Sequence, residues 1–118
     1  MIGIIGFIVL AGGIGHVITG LVIFRPQINA ISKDGFINAV LPHFDRRAAL
    51  WFILFGVMVA MTGHLLIHAA AVGDPVSVRI AGWYLLGVSS VGTLSQTRSP
   101  SSLLVVLSLV LLGLSYFD

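Results

Sequence analysis

No cysteine occurs among the 118 residues. That removes disulfides, thiolate metal centres, iron–sulfur clusters, c-type haem attachment and cysteine nucleophiles together. Charge is nearly as scarce: 8% of the residues are charged and 58% are hydrophobic, against about 25% charged in soluble domains. A soluble fold of this composition would lack the polar side chains to cover its surface. The same figures exclude disorder, a collagen-like repeat and a secreted disulfide scaffold. Neither an internal repeat, a low-complexity tract nor a soluble domain is visible. The net charge of +2 comes without the clustered basic residues that nucleic acid demands, so no nucleic-acid partner is expected.

Long uncharged runs fill the chain. Residues 1–24 carry no charged side chain, which meets the requirement of about 20 apolar residues for one bilayer crossing. This run has no basic n-region and no A-x-A cleavage site, so it is expected to stay in place rather than be cleaved. A second run, about 48–72, is interrupted by only three polar side chains, Thr62, His64 and His68. Two slightly short runs follow at about 78–94 and 101–117, separated by Gln96-Thr97-Arg98-Ser99-Pro100, a hairpin signal. The expected fold is therefore all-α: an integral membrane four-helix bundle in which residues 1–118 form a single transmembrane domain.

The basic residues set the direction, because positively charged loops are retained in the cytoplasm. Arg25, Lys33, Arg46 and Arg47 lie between the first two runs and Arg98 between the last two, whereas the opposite side holds Arg79 alone. Arg25, Arg46, Arg47 and Arg98 are thus read as orientation residues of a multi-pass protein with both termini outside and lipid as its first partner. Trp51 and Phe52 at the inner level, and Trp83, Tyr84, Tyr116 and Phe117 at the outer, read as interface anchors. Within 25–47, Ile37, Val40, Leu41 and Phe44 repeat at i, i+3, i+4 and i+7. With Pro26 as a first-turn residue and Gly35 and Pro42 as breaks, one or two short helices on the membrane surface are expected.

Gly12, His16 and Gly20 form one stripe at helical spacing, and Gly56, Ala60, His64 and His68 form another. Small residues let helices approach closely. Levelling Phe24 with Ala48 in an antiparallel pair sets His16 opposite Gly56 and Gly12 opposite Ala60, so Gly12, His16, Gly20, Gly56 and Ala60 are the predicted packing residues. Ala11-Gly12-Gly13-Ile14-Gly15 follows no strand and reads as packing, not as a phosphate loop.

Ionisable residues inside an apolar run default to functional candidates, which makes His16 and His64 candidate cofactor ligands, with haem b or a quinone as the ligand. The antiparallel alignment works against an intrachain bis-histidine haem: the two residues differ in level by roughly 12 Å at 1.5 Å per residue. His64 and His68, spaced i, i+4, are the candidate metal ligands, with Asp74 and Asp118 as the available additions, although zinc takes three or four. His43 reads as solvated.

No Asp, Glu, Lys or Arg lies deep within a run, so a carboxylate-driven antiporter lacks its coupling residue. No acid–base carboxylate pair or activated nucleophile is visible, and the serines and threonines of the last two runs can bond their own helix carbonyls.

His16-Val17-Ile18-Thr19-Gly20 resembles the His-Arg-x-Thr-Gly motif of succinate dehydrogenase cytochrome b anchor subunits, with valine in place of the arginine used near quinone. Over most of the chain, Gly12-x-x-x-His16-x-x-x-Gly20 and Arg47-Ala48-Ala49-Leu50-Trp51-Phe52 with Gly56 resemble a family of small bacterial four-helix membrane proteins of unassigned function. The resemblance implies an integral membrane location and four helices, and carries over His16, Arg47, Trp51 and Gly56, without implying a reaction; the expected location is the bacterial cytoplasmic (inner) membrane. The expected function is non-enzymatic: a helix-packing subunit that self-associates as a homo-oligomer or joins a larger membrane complex, with no required cofactor. The alternatives are a haem- or quinone-binding redox subunit using His16, and a small-molecule carrier with a polar cavity lined by Ser89, Ser90, Thr93 and His16.

Overall fold

The computed structural model describes residues 1–96 and 101–117. Its helices are α1 (Ile2–Ile23), α2 (Arg25–Lys33), α3 (Phe44–Val72), α4 (Pro75–Ser95) and α5 (Ser101–Phe117). Among the described residues no strand is present, and the fold is all-α. Two of the helices, α1 with 22 residues and α3 with 29, both of mean hydropathy 2.1, are long and apolar enough to cross a membrane. The predicted hairpin residues Thr97 to Pro100, Arg98 among them, and Asp118 lie outside the described residues.

Local chemistry explains each break. Pro26 follows α1 by three residues; lacking an N–H and crowding the carbonyl four residues back, it ends α1 and sits in the first turn of α2. The end of α2 differs from expectation. The spacing of Ile37, Val40, Leu41 and Phe44 suggests a helical face, yet residues 34–43 form turns. Gly35, Phe36 and Asn38 take φ of 83°, 68° and 57°, left-handed values that cannot continue a right-handed helix. One short helix results, α2, and Phe44 instead opens α3, four residues ahead of the predicted start at 48. Gly73, at φ 68°, closes α3. Asp74 then caps α4, accepting from the Ser77 backbone N–H at 3.2 Å and from its hydroxyl at 2.5 Å, with Pro75 in the first turn.

The chain divides into two compact units, Met1–Val9 with Thr62–Asp118 and Leu10–Met61; α1 and α3 contribute to both. In the first unit, α4 and α5 pack as an antiparallel hairpin. Gly82 admits Leu112 there, since a Cβ at that position would come within 3.0 Å of Leu112 Cδ2. Val78, Leu85, Leu111 and Leu112 are buried along this hairpin. The buried Ser89, Ser108 and Ser115 hydroxyls donate to carbonyls of their own helices, Leu85, Val105 and Leu112 respectively, so none is left unpaired in the apolar interior. In the same unit Gly3 faces Ala70 and Gly6 faces Ile67 and Gly63.

In the second unit the later half of α1 runs antiparallel to the first half of α3, and α2 buries Ile31. Ala49 is fully buried.

Candidate functional site

The second unit holds the closest helix approach and the one histidine that makes ring contacts there. Along α1 the contacting positions are Gly13, Val17 and Gly20. A Cβ on Gly13 would overlap the Ala60 backbone nitrogen, lying 2.6 Å from Ala60 Cα and 2.7 Å from the Gly56 carbonyl oxygen. A Cβ on Gly56 would lie 2.8 Å from Val17 Cγ2, 2.9 Å from the Val17 nitrogen and 3.0 Å from the Gly13 carbonyl. At Gly20 it would meet the Phe52 and Ile53 side chains at 2.8 Å. Backbone thus touches backbone, as only glycine allows.

The register is shifted by one residue from the expected alignment. Val17, not His16, faces Gly56, and Gly13, not Gly12, faces Ala60. Nothing lies within 4 Å of a Cβ built on Gly12, which corrects its assignment to the packing stripe. One residue turns a helix by about 100°, so a shift that is small along the axis replaces the whole contacting face. The seam did have a sequence signal. Gly6, Gly13 and Gly20 recur every seven residues, as do Ala49, Gly56, Gly63 and Ala70, the repeat of two helices that keep one side toward each other.

His16 sits beside the seam. Its ring stacks on Phe52 with centroids 3.8 Å apart and planes 15° from parallel, and meets Phe55 edge-on at 5.4 Å. Phe24 completes the aromatic group, 5.4 Å from Phe52. One face of the imidazole is therefore spent on packing.

The remaining sequence candidates separate. His64 and His68 are exposed on α3 in the first unit, and no group of three potential metal-ligating His, Cys, Asp or Glu residues occurs among the described residues. Ser89 and Thr93, two of the expected cavity-lining groups, donate to their own helix carbonyls. Arg25 is exposed. Arg47 lies over the Phe44 ring at 5.3 Å, and Trp51 is largely exposed. Arg98 lies outside the described residues.

Residues 2–116 match a family described as a family of unknown function (DUF6463). The chain belongs to that family. No curated protein and no solved structure matches it. For this DUF6463 member, functional assignment therefore rests on the geometry of its own residues.

Two further arginines acquire roles that composition alone does not show. Arg46 Nη1 reaches Asp34 Oδ2 and the Ala39 carbonyl, both at 2.7 Å, with its side chain only 13% exposed. It ties the turn segment 34–43 to the first turn of α3. In the first unit, Arg79 on α4 donates Nε and Nη2 to the Ser115 carbonyl at 3.1 and 2.6 Å and lies 4.4 Å over the Tyr116 ring. Trp83 Nε1 donates to the Tyr116 hydroxyl at 3.3 Å. Ser115 is in the last turn of α5, where carbonyls lack an intrahelical partner and the dipole favours a cation. The i, i+4 spacing of Arg79 and Trp83 was the available signal, though nothing in it points to a partner 36 residues on.

Proposed function

We propose that the protein is a multi-pass integral membrane protein of the bacterial inner membrane: a non-enzymatic four-helix bundle with its basic loops cytoplasmic and both termini outside. It acts by helix packing, self-associating or serving as an accessory subunit of a larger membrane complex. The observation that carries this reading is the apolar exterior of α1 and α3. Glycine and alanine set their closest contacts, while only 22% of each apolar window is buried and large side chains such as Phe7, Ile18, Met61 and Leu65 point outward. Water would penalise that exterior, whereas lipid or a second apolar chain would not.

The choice of packing over chemistry is supported by how the polar groups are used: buried hydroxyls bond their own helices and His16 stacks on Phe52. Two glycines of α1 remain outside the seam, since nothing lies within 4 Å of a Cβ on Gly12 or Gly15. Native mass spectrometry from mild detergent tests the reading on this face. The wild type is expected as an oligomer or with a co-purified subunit, and Gly15→Leu is expected to dissociate it while keeping its helix content. A lone wild-type monomer would overturn the assignment. A redox role through His16 is the second reading, favoured by the half-buried imidazole in its aromatic surround; an absorption band of haem in the purified protein would replace the first reading by the second.

A further inference from the structure

We infer that the turn segment between α2 and α3 is a membrane-dipping tip that selects bilayers carrying anionic headgroups, an inference that rests on the membrane reading above. Phe36, Ile37, Leu41 and Phe44 lie within nine consecutive residues and are 66%, 81%, 63% and 80% exposed. Surface apolar residues scattered singly are ordinary, but four large ones on one short segment mark a site that water does not cover. The backbone spends conformational energy to present them: Phe36 is an aromatic residue at φ 68°, a region that bulky side chains avoid, and it nevertheless points its ring outward. Such conformations persist only where surrounding structure enforces them. Here the Arg46 link to Asp34 and the Ala39 carbonyl braces the segment from both sides, so the tip is held rather than free to collapse onto its own apolar face.

Charge selects the occupant. Exposed Arg25 and Lys33 stand at the two ends of α2 and exposed Arg47 in the first turn of α3. Asp34 is already neutralised by Arg46, which leaves Asp45 as the acidic residue of this stretch without an ion pair to offset the three cations. Arg47 over the Phe44 ring joins the two features at one place, a cation directly beside an apolar anchor. An apolar tip with a cationic rim, on the connection between two helices apolar enough to cross a membrane, fits the headgroup and upper acyl region of an anionic leaflet. A soluble protein partner would not require this combination.

The absence of cysteine makes the test direct. Ile37→Cys and, on α3, Met61→Cys are each labelled with an environment-sensitive fluorophore in the full chain. Both are reconstituted into phosphatidylcholine bilayers with and without phosphatidylglycerol, using lipids brominated either near the headgroup or deep in the chain. The Ile37 label is expected to shift to the blue and to be quenched by the shallow bromines, more strongly with phosphatidylglycerol. The Met61 label is expected to be quenched by the deep ones. Neutralising Arg25, Lys33 and Arg47 with glutamine is expected to weaken the Ile37 contact by about fivefold per charge, the factor a basic residue contributes at an anionic surface. A water-like Ile37 label beside a quenched Met61 label overturns the tip while leaving the membrane reading intact, and opens the surface to a protein partner instead. An unquenched Met61 label overturns both. Quenching at Ile37 that ignores lipid charge and the three substitutions overturns the selectivity for anionic headgroups.

Discussion

At Gly13 the α1–α3 seam leaves room for a hydrogen atom and no more. A methyl group there meets Ala60 backbone, which cannot rotate away, so Gly13→Ala is expected to cost about 1–3 kcal/mol as overpacking. Gly12→Ala, one residue along and facing open space, should leave the melting midpoint in detergent unchanged or raise it through better helix propensity. Equal midpoints for the two variants would refute the seam. The same comparison holds on the other helices: Gly56→Leu drives side-chain atoms into Val17 and the Gly13 carbonyl, whereas Gly87→Leu enters open space and should be tolerated. Asp74 offers a pH test. Its hydrogen bonds from the Ser77 hydroxyl and backbone N–H hold the carboxyl below the usual carboxylate value. A depressed folded-state value means the cap stabilises fully above the unfolded value of about 3.9 and loses that contribution as pH falls through the lower folded one. The protection of amides at the start of α4, taken relative to their intrinsic exchange rate at each pH, should therefore fall on acidification below about pH 4, and Asp74→Asn, which caps without titrating, should abolish the fall.

Two elements are closed by arginines from elsewhere in their own unit. Arg79 supplies both donors to the last turn of α5, and a charged hydrogen bond of this kind contributes about 1–2 kcal/mol once partial exposure is allowed for. Arg79→Gln is expected to release the C-terminal turn of α5 to hydrogen exchange. Arg79→Lys should restore only part of the protection, because an ammonium cannot reproduce the planar two-donor fork. Arg46 does the corresponding work for the 34–43 turn. Arg46→Gln should raise exchange from Asp34 to His43 with little change in global melting, since one partly exposed ion pair with Asp34 is worth about 0–1 kcal/mol. Protection unchanged at α5 in Arg79→Gln would remove the closing role of Arg79.

For the molecule as a whole the proposed topology can be read at one side chain, because Lys33 is the sequence's only lysine. With the α1–α3 connection in the cytoplasm, a membrane-impermeant amine reagent should leave Lys33 unmodified in intact cells and modify it in inverted vesicles. Modification from outside would reverse the orientation. Charge neutralisation at Arg46 and Arg47 together should weaken the orientation bias, because those two supply half of the four positive residues of the connection. The mechanism separates the pair: loss of Arg46 also unties the turn segment, whereas loss of Arg47 alone removes exposed charge.

What the amino-acid sequence determined by itself is local. Apolar runs specified an all-α fold in which α1 and α3 are long and apolar enough to cross a membrane, and the structure ends its helices at Pro26, Gly73, Asp74 and Pro75, because φ restriction, a missing N–H and a capping carboxylate act within one turn. Periodicity failed where backbone conformation outranked it: Ile37, Val40, Leu41 and Phe44 have helical spacing, but left-handed Gly35, Phe36 and Asn38 break the segment that would have carried it. Levelling the helix ends could not decide which side of α1 meets α3, although the seven-residue repeat of Gly6, Gly13 and Gly20 pointed to it. Gly12 and Gly13 are indistinguishable as residues, and end-to-end levelling of two helices carries an uncertainty of at least one residue, which is about 100° of rotation. The close approach of two backbones, at Gly6 in one unit and at Gly13 in the other, with Gly20 admitting the Phe52 and Ile53 side chains, selects between them. The partners of Arg46 and Arg79 were likewise invisible in the chain, because a guanidinium can find a carbonyl at any sequence separation and the fold alone brings the two within 3 Å.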